Sequence, residues 1–436
     1  MSSAPRKAAA AFILVTVFID MLSIGVIIPV LPKLIEHFVG SVSSAALWTG
    51  VFGSVWGLAQ FFFSPIQGGL SDSIGRRPVV LASNLGTGLD CLLMAWAPTL
   101  WWLFLGRAIS GMTAASISTA YAYMSDTTPP EKRAGVYGLM GAAFGVGFVV
   151  GPSLGGILGD GVHLPALAHF GLGFLNFDGN PRYPFFFAAF LALVNFTYGF
   201  FVLPESLPPE KRRKFSFHTA NPIGALKFLS KNAEVMRLST MYLLMMFAQS
   251  VFPTTMVLYA LHRFGWGTAQ VGLMLGAVGI LSGFVQAGLT GIIVKWIGER
   301  QTMYIGLVCG LIAFVGYALA PTWQIFVAFL PIGACWGLAT PNIQALMTSK
   351  IDPHEQGTLQ GANMSLSSTA TIFAPMAFGS LLFYVTRAGA PVIFSGAAFM
   401  LAAVFMVLAL WLGAGVKPAL KPAPAGDGHG GAPGHG

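Results

Sequence analysis

Apolar runs of bilayer-spanning length, bounded by Gly, Pro and charge clusters, recur along almost the whole chain and leave no soluble core to build. We place twelve spanning helices at 8–31, 46–69, 78–97, 99–124, 135–158, 183–203, 236–260, 268–294, 301–320, 322–347, 358–385 and 390–413. A helix needs about 20 residues to cross about 30 Å of hydrocarbon. Only 9% of the 436 residues are charged, against about a quarter in a soluble domain, so the fold class is an all-α membrane protein. The first run follows Arg6 and Lys7 as a signal peptide would. It is too long, holds Asp20 at its middle and lacks a small-residue cleavage site, so it reads as span one. Cys91, Cys309 and Cys335 are odd in number and lie in apolar runs, which specifies no disulfide framework.

The net charge of +8 fits a nucleic-acid partner, a membrane surface or a topological bias, and position decides among them. With a cytoplasmic N-terminus, Lys33, Arg182, Arg263 and Arg387 fall on the opposite side and Arg107 inside span four. All other Lys and Arg then face the cytoplasm. This asymmetry predicts both termini in the cytoplasm and removes the need for a nucleic acid. The chain divides into an N-terminal six-helix bundle at 1–204, a cytoplasmic linker at 205–235, a C-terminal six-helix bundle at 236–414 and a Gly/Pro-rich, disordered tail at 415–436. The linker's Lys211-Arg212-Arg213-Lys214 run reads as topogenic, with anionic lipid as the alternative. His429 and His435 in the tail are too few to make a metal site.

Shifting the chain by 223 residues aligns Gly53 with Gly276, Gly68 with Gly291, Gly75 with Gly298, Arg77 with Arg300, and Ala97-Pro98-Thr99 with Ala320-Pro321-Thr322. The same shift aligns Pro130, Pro152 and Gly156 with Pro353, Pro375 and Gly379. One constant, gapless offset predicts two pseudo-symmetric bundles related by an axis along the membrane normal. Carriers with such repeats hold substrate at mid-depth between the halves and rock them about it.

Charge at the bilayer centre is expensive, so intramembrane ionisable residues are functional candidates. Three stand out. Asp20 lies halfway along span one; Asp90 precedes Pro98 by eight residues and Arg107 follows it by nine. At about 1.5 Å rise per residue, Asp90 and Arg107 reach similar depths, roughly 12 to 14 Å from the outer turn. They form a pair, or each serves Asp20. One carboxylate, Asp20 first, is expected to take up and release a proton, because burial favours the neutral carboxyl and a nearby Arg the charged one. The competing reading makes Asp90 and Arg107 a fold-holding pair without proton traffic.

Between spans two and three lies Gly68-x-x-Ser71-Asp72-x-x-Gly75-Arg76-Arg77-Pro78, a tight turn with an acid and anchoring arginines that reads as a gate, or more plainly as a topogenic turn. Its second-half copy carries Lys295 in place of Asp72. Span five reads Gly141-x-x-x-Gly145, then Gly147, Gly151-Pro152, Gly155 and Gly156, which predicts close helix packing about a proline kink. Gln60, Gln249 and Gln286 are mid-depth polar side chains that either line a cavity or bond between helices. His163, His169, His218, His262 and His354 fall in predicted loops, and no metal cluster, nucleotide loop or catalytic triad is found, so no enzyme is expected.

The gate motif, Leu105-Gly106-Arg107-Ala108-Ile109-Ser110-Gly111 in span four and the Gly-Pro motif of span five together resemble the major facilitator superfamily. The span-five motif is similar to that of its drug/proton antiporter branch. The likeness to the tetracycline efflux antiporters extends through Asp20 with Ile28-Pro29-Val30-Leu31-Pro32, Gln60, Leu89-Asp90-Cys91-Leu92-Leu93, Ser125-Asp126-Thr127-Thr128, Arg263-Phe264-Gly265-Trp266 and Gln356-Gly357-x-Leu359-Gln360-Gly361. That resemblance implies exchange of a cytoplasmic magnesium-tetracycline complex for an external proton across a bacterial inner membrane. Acids matching Asp20 and Asp90 and an arginine matching Arg107 would couple the proton, and Ser71, Asp72 and Arg76 would form the gate. No permanent cofactor is implied, since magnesium travels with the substrate. The chain departs from that family twice. Span nine reads Leu307-Val308-Cys309-Gly310-Leu311-Ile312 where those carriers have an aspartate, and the 159–184 loop is long. An uncoupled or proton-linked metabolite carrier, and a non-transporting receptor using that loop, are the alternatives.

Overall fold

The computed structural model describes residues 3–114, 116–129, 132–162, 177–212, 229–230, 232–352, 355–387 and 390–416. Most of the 159–184 loop, most of the linker, the tail and six of the singled-out histidines (His163, His169, His218, His354, His429 and His435) lie outside them, and His262 lies within. Among the described residues, ten helical stretches are long and apolar enough to cross a membrane. Two further spans emerge on inspection. Thr268–Leu319 runs to 52 residues, about 78 Å and more than twice a bilayer's hydrocarbon, and Gly298 breaks it with φ 82° and ψ 165°. Spans eight and nine are thus joined by a single residue where the sequence suggested a short loop. Span four is Leu100–Thr113 followed by Ser116–Thr127. The twelve-helix architecture of the major facilitator type is therefore present.

The remaining spans are Ser3–Ile27 (one), Val42–Ile74 (two), Arg76–Ala95 (three), Arg133–Asp160 (five), Tyr183–Val202 (six), Ala233–Gln249 with Val251–Phe264 (seven), four short helical pieces within Trp323–Thr348 (ten), Gln356–Val385 (eleven), and Val392–Gly396 with Ala397–Gly413 (twelve). The Pro29 to Pro32 segment stops span one at Ile27 and restarts a nine-residue helix, Leu31–Val39, that Gly40 ends at φ 75°. Gly75, at φ 114° and ψ 161°, does for spans two and three what Gly298 does for eight and nine. The fold also holds a strand pair, Gly161–Val162 against Phe177–Asp178, which closes the long loop by backbone pairing where only a loop was expected.

One core lies wholly within the second half, and another joins the halves, with Leu258 and Leu382 packed among first-half residues such as Ile35, Phe52 and Phe185. Tyr259, Phe314, Tyr317, Phe326 and Phe399 form the centre of the second-half core, with ring centroids as close as 4.7 Å for Tyr317 and Phe326. At the outer turns, Arg182 donates to the carbonyls of Ala95 and Ala97 at 3.0 and 2.9 Å, and Arg263 donates to that of Ala320 at 3.0 and 2.9 Å. Ala97 and Ala320 are partners in the 223-residue repeat, so both halves staple the same turn with an arginine.

Contact between halves runs chiefly along two helix pairs, two with eleven and five with eight, with the Val251–Phe264 piece of span seven also packed on span two. A Cβ on Gly50 would fall 2.5 Å from the Pro375 carbonyl oxygen, and one on Gly272 would fall 2.2 Å from that of Pro152. The pairs are related by the repeat, which makes the interface pseudo-symmetric. Eleven residues along, about three turns and therefore on the same faces, the packing ends. Gly57, Gly156 and Gly272 touch backbone of the other half, whereas Gly68, Gly145 and Gly283 meet nothing within 4 Å. The halves close at the end that carries Lys33 and Asp160 and part toward the end that carries Arg76 and Arg300. We expect Gly155→Val, whose Cβ starts 2.1 Å from the Val26 carbonyl oxygen, to lower stability in detergent by about 3 kcal/mol or more. Gly141→Ala enters open space and should leave the melting midpoint unchanged or raised. Equal midpoints for the two variants would refute this packing.

Candidate functional site

Span one meets span five through the carbonyls of Phe18, Leu22 and Val26, against which Gly147, Gly151 and Gly155 lie so close that a Cβ would fall at 2.6, 2.7 and 2.1 Å. These are every-fourth residues on both helices, the stripe that small residues allow. Gly156 faces span eight instead. Gly141 and Gly145 do not pack, a correction to the sequence reading: their face points at the other half where the halves have already parted.

Asp20 lies about 200° around span one from Phe18, so it turns away from span five, and it is 7% exposed and engaged rather than free. Ser23, one turn on, is 1% exposed and its hydroxyl lacks a partner. Asp90, 1% exposed, has an Oδ1 without a hydrogen bond, 3.0 Å from where a Gly106 Cβ would stand. Arg107 and Ser110 are the polar groups facing it. The ion pairs among the described residues are Lys33–Asp160, Arg76–Asp72, Arg76–Asp126 and Lys350–Glu234. Asp90 and Arg107 thus share a depth and a neighbourhood without closing into contact. Arg107 instead stacks its guanidinium 5.6 Å from the Trp56 ring centre, with Nε unpartnered. Trp56 adjoins Gly57, the last glycine of the inter-half contact, so Arg107 sits at the head of the cleft.

The three glutamines differ. Gln60 continues the Gly50, Gly53, Gly57 face of span two past its last contact, and Gln286 does the same for Gly272, Gly276 and Gly279 of span eight. Gln60 therefore lies on the face that meets the other half, while the Gln286 side chain lies within its own half, against Gly337 of span ten. Gln286 lies in a π-helical turn, Val285–Leu289, a feature common at functional positions. Gln249 is exposed at the break of span seven.

The gate motif is a network within the first half. Arg76 donates through Nη1 to Asp72 and, at 2.7 Å, to the Ser71 hydroxyl, and through Nε to Asp126 at 3.1 Å. Ser71 in turn donates to the Gly68 carbonyl at 2.9 Å. Glu205, which the sequence reading passed over, caps span three from the far side of span six. Its carboxylate accepts the backbone N–H groups of Arg76, Arg77, Ser206 and Leu207 at 2.9 to 3.3 Å. A Cβ at position 75 would sit 2.3 Å from Glu205 Oε2, which is why Gly75 is needed there. Arg77 donates to the Phe200 carbonyl at 2.6 Å. Among the described residues the second-half copy shows no such network: Arg300 lies 5.6 Å over Tyr304 with Nε unpartnered. The signal for Glu205 was a lone acid immediately after span six, in Leu203-Pro204-Glu205-Ser206.

Twelve spans in two repeated halves around a cleft with buried charge define a membrane carrier of small molecules, and the Major Facilitator Superfamily model matches residues 13–375. The chain belongs to that superfamily, and within it resembles the tetracycline efflux branch of drug/proton antiporters. It is 36% identical over 366 residues to the class C tetracycline resistance protein of Escherichia coli, covering 84% of this chain and 87% of that protein. Identity to the class H tetracycline resistance protein of Pasteurella multocida is 34% over 387 residues, with 87% and 90% covered. Among solved structures, a bacterial homologue of the human lysosomal transporter Spinster superposes with a TM-score of 0.75 at 16% identity, over 97% of this chain and 100% of that one, which shows the fold.

Glu205→Ala should strip the acceptor from the first amides of span three and cost about 1 to 3 kcal/mol of stability. Lys295→Ala, at an exposed site, should stay within about 0.5 kcal/mol. Thermal melts in detergent measure both, and a silent Glu205→Ala would refute the cap.

Proposed function

We propose that the protein is a proton-coupled antiporter of a bacterial inner membrane, with both termini cytoplasmic, that exports tetracycline as its magnesium complex or a related amphiphilic drug by alternating access. The observation that carries this reading is a cleft closed at one end by pseudo-symmetric glycine and proline contacts, with Asp20, Asp90 and Arg107 set in the half that flanks it. Asp20 takes the coupling proton. Arg107, near Asp90 without contact, offers a cation at the head of the cleft. Gln60 presents its amide to the substrate from the face that meets the other half, so binding responds to the separation of the halves. The tetracycline resistance proteins of E. coli and P. multocida support the drug class by similarity. One observation favours a drug other than tetracycline: residues 307–312 of span nine hold no acid, where the tetracycline carriers have one.

Inside-out vesicles under an imposed proton gradient decide the matter. Tetracycline added with magnesium should release protons in wild type, and Asp20→Asn should bring that release to background. Chelating the magnesium should abolish it too, since the complex is the cargo. Release with another amphiphile and none with tetracycline would keep the antiporter and replace its substrate. Intact coupling in Asp20→Asn would overturn the assignment of the proton site.

A further inference from the structure

Span eight begins at Thr268 after Gly267, a residue with no side chain to cap a helix. Its second N–H, that of Ala269, is nevertheless satisfied. Asp160, the last residue of span five and so part of the other half, accepts it through Oδ2 at 2.8 Å. That amide is the N2 donor that a local Ser, Thr, Asp or Asn would ordinarily serve. Spans two and seven cap themselves: Ser41 accepts from Ser44 N at 3.2 Å at the start of span two, and Asn232 accepts from Glu234 N at 2.9 Å at the start of span seven.

The second Asp160 oxygen receives Lys33 Nζ at 2.7 Å, and Lys33 belongs to the same half as Asp160. The ammonium therefore holds the carboxylate in place, while the bond to Ala269 is the one that crosses. Thr268 adds a second crossing bond, from its hydroxyl to the Gly156 carbonyl at 3.3 Å. Position 267 cannot carry a side chain while the halves are closed, because a Cβ there would lie 2.2 Å from Asp160 Oδ2. The repeat-related interface, two with eleven, has no ionic counterpart: residue 383, the 223-shift of 160, is Phe.

We infer that Asp160 is the positioning residue of the outer closure: a cap supplied in trans, which stabilises the start of span eight only while the two halves are together at this end. Separation strips Ala269 of its acceptor and returns charge-bearing Asp160 to Lys33 alone. The inference rests on the alternating-access reading, but its test needs neither drug nor proton gradient.

The test uses spin labels at His37→Cys and Thr322→Cys, exposed at the outer end of each half, in the full chain with Cys91, Cys309 and Cys335 replaced by Ala. Pulsed electron resonance in nanodiscs reads the distance distribution. Asp160→Ala should raise the ratio of the longer, separated population to the closed one about five- to tenfold. Asp160→Asn, which keeps an oxygen for the amide and loses only the charge partner of Lys33, should raise it less. The double variant Asp160→Ala with Gly267→Ser restores a local cap and should recover the melting temperature while the distances stay shifted. It carries the test alone if Asp160→Ala does not fold. A distribution unchanged in Asp160→Ala, or returned to wild type by the local cap, would show Asp160 to be an ordinary helix cap and overturn the proposal. Failure of drug-driven proton release leaves these distances untouched, so the two readings fail separately.

Discussion

The two halves meet through backbone. Helix association in lipid has no hydrophobic drive, since acyl chains are as apolar as leucine, and depends on how closely main chains approach. Here Gly50 and Gly272 lie against the Pro375 and Pro152 carbonyls, and Gly57 faces the Thr371 carbonyl. The last is no accident of packing: Pro375 has no N–H, so the Thr371 carbonyl four residues earlier has no helical partner and is free to face another helix. Contacts of this kind are individually weak. An interface made of them is tight where it closes, yet a few kcal/mol suffice to open it, which is what a two-state carrier requires.

Polar chemistry and mechanical stiffness are divided unequally between the repeats. Asp20, Asp90, Arg107 and the Arg76 network all belong to the first half, whereas the second answers with an interlocked aromatic core around Tyr259, Tyr317 and Phe399. The repeat that aligns their glycines does not align their charges: the second copy has Lys295 for Asp72 and no acid in span nine. Pseudo-symmetry is kept in the glycine and proline contacts of the interface and dropped in the interiors.

How much of this could be read from residues alone follows from what each inference needed. The spans, the repeat and the small-residue faces are one-dimensional patterns, so the 223-residue shift already paired Gly53 with Gly276 and Pro152 with Pro375. Depth was also legible, because rise per residue is fixed, and it set Asp90 level with Arg107. Lateral distance was not. The same arithmetic could not say that Arg107 stacks on Trp56 instead of gripping Asp90, because that choice depends on how spans two, three and four rotate. Glu205 and Asp160 escaped for a related reason: each caps a helix 129 and 109 residues away in sequence, and an acid at a helix end looks alike whether it serves its own helix or another. Gly145 was misjudged because a packing face was visible but not the point at which its partner departs.

The position of span five ties these observations together. One face, Gly147, Gly151 and Gly155, holds span one, whose far side carries Asp20; the adjacent face, Pro152 and Gly156, holds span eight of the other half. Asp20 therefore stands one helix removed from the interface between the halves, linked to it by close main-chain contacts that leave no room for a side chain. Under the proposed proton coupling, a change of charge at Asp20 would alter the solvation it needs, and a tilt of span one would be the response most directly transmitted to span five. Leucines at the glycine positions would cushion such a tilt in flexible side chains. Bare backbone passes it on.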